Sequence, residues 1–171
     1  RMANHTRVYH TKPSYQTILD AVTKQFHSGE GAIQFAPEAI ARSNADILRD
    51  EQLKKEFIEI YSEQGKEEAR NWINSNYGPF SEEELNHRMS RYGLNPCGEI
   101  LGNDFHCNLA EVHLNQIDPK NIEEQKKAFK AAALSVACLL NHEFEVERYR
   151  KSREYDPIVG VSFTGLFDFC V

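Results

Sequence analysis

The densest group of polar and reactive residues in the sequence lies at residues 95–99, which read NPCGE. The proline stiffens the backbone, and Gly98 allows a ligand to approach it closely. If this segment is extended, Cys97 and Glu99 point to the same side, because side chains alternate along a strand. We therefore expect Asn95, Cys97 and Glu99 to face one substrate, on which a thiol and a carboxylate could act together.

These residues have two other interpretations. The segment could be a simple turn with a buried thiol and an exposed carboxylate. It could also contribute to a zinc site built from Cys97, His106, Cys107 and His113. Zinc ligands usually come in close pairs such as C-x2-C, and these four residues do not form two such pairs. We therefore expect no metal here.

Two predicted elements flank the reactive segment. Ser81 and the glutamate three positions later form the capping box of a helix that ends near residues 92–93. The proline that follows Asn95 then breaks the chain. Alternating apolar side chains predict a strand over residues 105–109. The reactive segment is thus expected between a capped helix and a strand.

Helices and strands alternate along the rest of the chain. Periodicity and capping signals predict helices over residues 14–26, 37–48, 51–61, 67–73 and 122–149. Gly65 separates the third of these helices from the fourth. Short apolar runs predict two further strands, over residues 31–35 and 159–163. Strands separated by helices indicate an α/β architecture.

The composition limits the class of protein. The 171 residues are 40% hydrophobic and 27% charged, which is typical of a folded globular chain. The net charge is -6 and the basic residues are scattered among acidic ones, so we expect no nucleic acid and no membrane as partner. No apolar run approaches the roughly 20 residues of a membrane span, and no signal peptide is recognised, which predicts a cytoplasmic location.

An ordered set of motifs resembles the ribonucleotide reductases. Residues 95–100 (NPCGEI) and 105–109 (FHCNL) resemble the active-site finger loop of that family. Three flanking segments are similar, in the same order, to its adenosylcobalamin-dependent branch: residues 29–33 (GEGAI), 38–46 (EAIARSNAD) and 160–166 (GVSFTGL). The resemblance implies that residues 1–171 are part of a catalytic domain, a ten-stranded α/β barrel around the finger loop.

The resemblance also implies a role for each matching residue. Cys97 matches the cysteine that becomes a thiyl radical and abstracts hydrogen from C3′ of the ribose, a task that needs a dry, shielded pocket. Glu99 matches the general base on the 3′-hydroxyl, and Asn95 the amide that orients the ribose hydroxyls and this carboxylate. Asn95, Gly98 and Glu99 would contact the substrate. Cys107 matches one half of the dithiol that reduces the substrate radical.

The second half of that dithiol is not identified in this sequence. Cys138 and Cys170 lie in apolar stretches typical of core thiols. The resemblance implies adenosylcobalamin as cofactor, with no contact residue assigned. It implies as partners a ribonucleotide substrate, thioredoxin or a similar dithiol reductant, and the remainder of the same reductase. Both ends of the chain look cut, so we expect a fragment that is inactive by itself.

Two alternatives to this function stay open. The chain could be a non-catalytic piece, bounded by a split gene or an intein, that serves only as a folding or association module. It could instead come from a diphosphate-specific, iron-dependent reductase. The short spacing between Cys97 and Cys107 favours the adenosylcobalamin branch, because iron-dependent relatives have a longer insertion there. The expected activity is that of a ribonucleoside-triphosphate reductase.

Overall fold

A computed structural model describes residues 5–171, which divide into two compact units. Unit 1 extends to Asn103, and unit 2 comprises Asp104–Val171. The fold is mixed α/β, as predicted, and the strands of the described residues form three two-stranded sheets without a barrel. No helix within residues 5–171 has the length and apolar character needed to cross a membrane.

Unit 1 opens with a strand, a helix and a second strand. β1 (Thr6–Tyr9) and β2 (Ala32–Phe35) pair in parallel, and α1 (Tyr15–Ser28) connects them. The Ser14 hydroxyl accepts a 3.1 Å hydrogen bond from the backbone three positions on, which begins the helix. Gly29 ends it with a φ of 71°. The helix predicted at residues 14–26 and the strand predicted at residues 31–35 are confirmed as α1 and β2, whereas β1 was not predicted.

Four more helices follow in unit 1. They are α2 (Ala36–Ser43), α3 (Glu51–Gln64), α4 (Lys66–Tyr77) and α5 (Glu82–Arg88). Gly65 separates α3 from α4 with a φ of 98°, as predicted. The helix predicted over residues 37–48 is shorter than expected. The Asn44 side-chain amide donates to the carbonyls of Ile40 at 2.9 Å and Arg88 at 3.1 Å, and this joins the end of α2 to α5.

These four helices enclose one hydrophobic cluster. It consists of the buried side chains Ile40, Ala41, Leu48, Phe57, Tyr61, Ala69, Ile73, Leu85 and Met89. Burying a large aliphatic or aromatic side chain contributes about 1.5–3 kcal/mol, so the cluster is the main source of stability in unit 1. The chain leaves it after α5 and forms a small antiparallel hairpin, β3 (Gly93–Leu94) with β4 (Leu101–Gly102).

Unit 2 is built around one pair of parallel strands, β5 (Asn108–His113) and β6 (Val159–Thr164). The chain between and after these strands forms a 3-10 helix (Leu114–Gln116), α6 (Ile122–Leu139), α7 (Glu147–Tyr155) and α8 (Leu166–Cys170). Only Val112, Leu114 and Val136 are buried apolar residues in this unit.

Two predictions for unit 2 are wrong in their boundaries. The strand predicted at residues 105–109 begins at Asn108, because the pairing with β6 starts there. The helix predicted over residues 122–149 is broken between Leu139 and Glu147. In the break, the ring of Phe144 lies 4.2 Å from that of His106, and Arg153 donates a hydrogen bond to the carbonyl of His142. These tertiary contacts replace the helical hydrogen bonds.

Candidate functional site

The reactive segment forms the loop of the hairpin between β3 and β4. The Gly98 N–H donates to the carbonyl of Asn95 at 3.0 Å, and the Asn95 N–H donates to the carbonyl of Ile100 at 3.2 Å. Gly98 has a φ of 81°, a conformation that side chains other than glycine disfavour. A Cβ at this position would meet no other atom within 4 Å, so backbone conformation alone explains the glycine.

The side chain of Asn95 organises this loop. Its Oδ1 accepts hydrogen bonds from the backbone N–H groups of Glu99 at 3.1 Å and Ile100 at 3.0 Å. Its Nδ2 donates to Oε1 of Glu99 at 2.5 Å. One amide therefore closes the turn and orients the carboxylate, so the structure brings the side chains of Asn95 and Glu99 together.

The loop is not the extended segment that the sequence suggested. Residues 96–98 form a turn, so the alternation expected to place Cys97 and Glu99 on one side does not apply. A proline followed two positions later by glycine favours a tight turn over a strand. Cys97 and Glu99 are both exposed, and nothing in the described part of unit 1 shields the thiol. The alternative of a turn was right about the backbone and wrong about a buried thiol.

A network behind the hairpin anchors it to the helical core. Arg88, at the end of α5, donates to Oδ1 of Asn44 at 3.1 Å and forms a 2.8 Å ion pair with Asp46. Arg91 donates to the carbonyl of Ser43 at 3.1 Å. Burial raises the pKa of Asp46, but the hydrogen bond and the charge of Arg88 outweigh it, so this pKa lies below its usual value. These contacts hold in place the residues at which the chain enters the hairpin.

A cleft of about 550 Å³ lies beside the loop. Its walls come from β2, from α2 and from the hairpin, and they include Gln34, Glu38, Arg42, Gly98 and Glu99. Gln34 is 8% exposed. Its side-chain nitrogen and oxygen find no hydrogen-bond partner among residues 5–171. Sequence reasoning missed this residue, although a glutamine between two apolar residues of a predicted strand was a signal available for it.

The remaining cysteines lie in unit 2. Cys107 precedes β5 and is exposed. Cys138 on α6 and Cys170 at the end of α8 are also exposed, so the expectation that they are core thiols is wrong. An apolar stretch predicts burial only where other elements cover it, and within the described residues nothing packs over these two positions.

The two histidines considered as zinc ligands have other neighbours. The ring of His106 lies 4.2 Å from Phe144 and 5.1 Å from Tyr149, beside a cleft of about 610 Å³. His113 Nδ1 lies 3.3 Å from the Thr164 hydroxyl. Within residues 5–171, no group of three or more His, Cys, Asp or Glu side chains is placed to hold a metal ion.

Comparisons with known proteins identify no relative of this chain. No protein-family model, no curated protein and no solved structure matches the chain. A function for the chain therefore rests on its own residues and on the motif resemblance. The feature with most chemical content is the hairpin loop with its thiol, carboxylate and amide beside a cleft that suits a small ligand.

Proposed function

We propose that the chain belongs to the catalytic core of a ribonucleotide reductase, with Cys97 as the radical-bearing residue. One observation carries the proposal: the Asn95 amide holds the Glu99 carboxylate in the same turn that presents the Cys97 thiol. The ordered motifs support the same assignment. In the full-length protein the proposal includes a ten-stranded barrel, a ribonucleoside triphosphate as substrate and a cytoplasmic location.

The proposed reaction converts a ribonucleotide and a dithiol into a deoxyribonucleotide, a disulfide and water. The thiyl radical of Cys97 takes the hydrogen atom from C3′, and Glu99 accepts the proton of the 3′-hydroxyl. The 2′-hydroxyl then leaves as water with a proton from the dithiol that includes Cys107. That dithiol supplies two electrons and two protons in total, one proton to the leaving water and one to C2′. Glu99 returns its proton to the 3′ oxygen, and Cys97 returns its hydrogen atom to C3′.

Asn95 is a positioning residue in this scheme. Its amide fixes one carboxylate oxygen of Glu99, which leaves the other oxygen for the substrate hydroxyl. The exposed Cys97 needs a dry surrounding during the radical steps. The proposal therefore requires the remainder of the reductase to cover this turn, and thioredoxin or a similar reductant to regenerate the dithiol of Cys107.

Adenosylcobalamin, when bound, supplies radical chemistry for the branch that the motifs resemble. A cleft of about 550 Å³ suits a ligand of nucleotide size, and adenosylcobalamin is far larger. The cleft of unit 1 does not fit this cofactor.

Exposed apolar residues favour a second candidate function, that of a non-catalytic folding or association module. Tyr15, Leu19, Val22 and Phe26 follow helical spacing along α1 and are all exposed. Such a stripe is typical of a surface that packs against another element or chain.

The decisive experiment measures deoxyribonucleotide formation by the full-length protein with Cys97→Ser. A hydroxyl does not form the required radical under these conditions, so we expect turnover to be abolished while the circular dichroism spectrum is unchanged. Glu99→Gln should slow the loss of water and spare radical formation. Cys138→Ser, at another exposed thiol, is the matched control and should retain full turnover.

Residual turnover of even a few percent in Cys97→Ser would remove this residue from the radical role. Normal turnover in Glu99→Gln would count against the base assignment. If the wild-type protein forms no deoxyribonucleotide while the α1 stripe binds a partner, the association module becomes the better account.

A further inference from the structure

The cleft between β2, α2 and the hairpin is lined in part by Gln34, which has no role in the proposed reaction. We propose that this cleft is a nucleobase subsite, in which the side-chain amide of Gln34 pairs with the hydrogen-bonding edge of the base. The inference rests on the proposed function, because Glu99 in the same cleft would then contact the ribose. It adds a binding residue that the motif resemblance does not assign.

The Gln34 side chain is buried without a hydrogen-bond partner in the part of the chain that the structure describes. More than nine-tenths of this residue is buried, yet neither polar atom of its amide has a partner within residues 5–171. Buried polar groups are almost always hydrogen-bonded, and an unpaired one destabilises the fold. An apolar side chain would fill the same position of β2 without that penalty. A ligand that satisfies the amide explains why glutamine stands there.

The charge of the cleft favours a neutral group over a phosphate. Glu38 and Glu99 carry two negative charges, and Arg42 carries the single positive charge among the lining residues. Arg42 is already paired with Glu38 at 2.7 Å. A phosphate would meet more negative than positive charge in this cleft, whereas a neutral base would not.

The lining and the hydrogen-bonding pattern of the cleft match a nucleobase. Phe35, Leu94 and Leu101 provide apolar lining that suits a flat ring. A glutamine amide presents one donor group beside one acceptor, and each of the four common bases carries a donor next to an acceptor on its pairing edge. Rotation of the amide reverses the order of donor and acceptor. Gln34 can therefore pair with purines and pyrimidines alike.

Binding measurements on the purified chain test the subsite. CTP and ATP are titrated against the wild type, Gln34→Met and Gln52→Met, by calorimetry or equilibrium dialysis. Gln34→Met keeps the side-chain length and loses both hydrogen bonds, so both nucleotides should bind about tenfold more weakly. Gln52, on the exposed surface of α3, is the matched control and should leave binding unchanged.

A second measurement uses only the wild type, so it does not depend on the folding of a variant. The side-chain amide resonances of Gln34 should shift when CTP is added and stay in place with ribose 5-phosphate, which lacks a base. Unchanged affinity in Gln34→Met, or Gln34 resonances that do not move at saturating CTP, would overturn the subsite and leave the amide as a structural group hydrated by water.

The two proposals can fail separately. If nucleotide binding depends on Gln34 but the full-length protein forms no deoxyribonucleotide, the subsite stands and the reductase assignment fails. If turnover depends on Cys97 while CTP and ATP bind equally well to Gln34→Met, the reductase assignment stands and the subsite is wrong.

Discussion

Units 1 and 2, each taken by itself, differ most in how much apolar surface they bury. Nine buried side chains, seven of them on four helices, form a closed cluster in unit 1. Unit 2 buries three apolar side chains and leaves ten large ones exposed, among them Leu109 and Phe163 on its two strands. Among residues 5–103 of unit 1, the exposed large apolar residues all lie on α1.

The difference follows from how helices and strands complete a core. A set of helices close in sequence can cover one another's apolar faces with local contacts. A parallel pair of strands needs further strands at its edges and helices on both faces before its side chains are buried. Unit 2 therefore carries a two-stranded sheet that is incomplete within the described residues.

The largest effect is expected from removing an aromatic ring from the cluster of unit 1. Phe57 is 0% exposed, so Phe57→Ala should lower the free energy of unfolding by about 3–5 kcal/mol. The chain has one tryptophan, Trp72, whose ring lies 6.4 Å from Phe57, so its fluorescence during urea unfolding reports on unit 1. Phe163→Ala is the matched control in unit 2, where the ring is 47% exposed.

Phe163→Ala should not change the urea concentration at which the Trp72 fluorescence reports unfolding. Equal losses of stability in Phe57→Ala and Phe163→Ala would show that unit 2 has a core comparable to that of unit 1, and the contrast between the units would then be wrong.

A medium loss of stability is expected when the polar network of unit 1 is disrupted. The Arg88 side chain is 12% exposed and satisfies Oδ1 of the fully buried Asn44. Arg88→Met leaves this buried acceptor without its donor, so we expect a loss of about 1–3 kcal/mol in the same urea experiment. Lys126→Met removes a pair with Glu123 in which both side chains are more than half exposed, and it should change stability by less than about 0.5 kcal/mol.

If Arg88→Met changes the free energy of unfolding as little as Lys126→Met does, the network does not anchor the hairpin. The fixed position of the turn that carries Cys97 would then need another explanation.

The smallest effect concerns acid stability. Because the folded pKa of Asp46 is below its value of 3.8 in the unfolded chain, Asp46 stabilises the fold above that value. This contribution is lost as the pH falls below about 4 and through the folded pKa. Between about pH 5 and pH 2.5, the wild type should lose more free energy of unfolding than Asp46→Asn.

The cause of the Asp46 effect can be checked with a double variant. Once Arg88→Met has removed the favourable charge and hydrogen bond, the further change Asp46→Asn should no longer reduce the acid sensitivity. The same reduction in both backgrounds would assign the lowered pKa of Asp46 to a group other than Arg88.

Elements with local signals were predictable from the sequence. Ser14 and Ser81 cap α1 and α5 through hydrogen bonds to residues three positions away, and Gly29 and Gly65 end helices through their own backbone conformation. These interactions involve neighbours in the chain, so a sequence pattern contains all the information. The α/β class followed from the order of such elements.

Elements whose bounds depend on distant residues were not predictable in this way. β5 begins at Asn108 because it pairs with Val159, and α6 stops before residue 144 because Phe144 packs against His106. Burial of Cys138 was wrongly inferred because an apolar stretch does not say which of its sides another element covers.

For the candidate site, the sequence by itself determined which residues stand together in the loop: Asn95, Cys97, Gly98 and Glu99 are neighbours in the chain. Only the tertiary structure decided that the loop is a turn with an exposed thiol, and that Gln34 lies buried and unpaired beside Glu99 in one cleft. The physical reason is that hydrogen bonds between near neighbours can be anticipated from residue types. Burial, by contrast, depends on segments about sixty positions apart meeting in space, which no local pattern specifies.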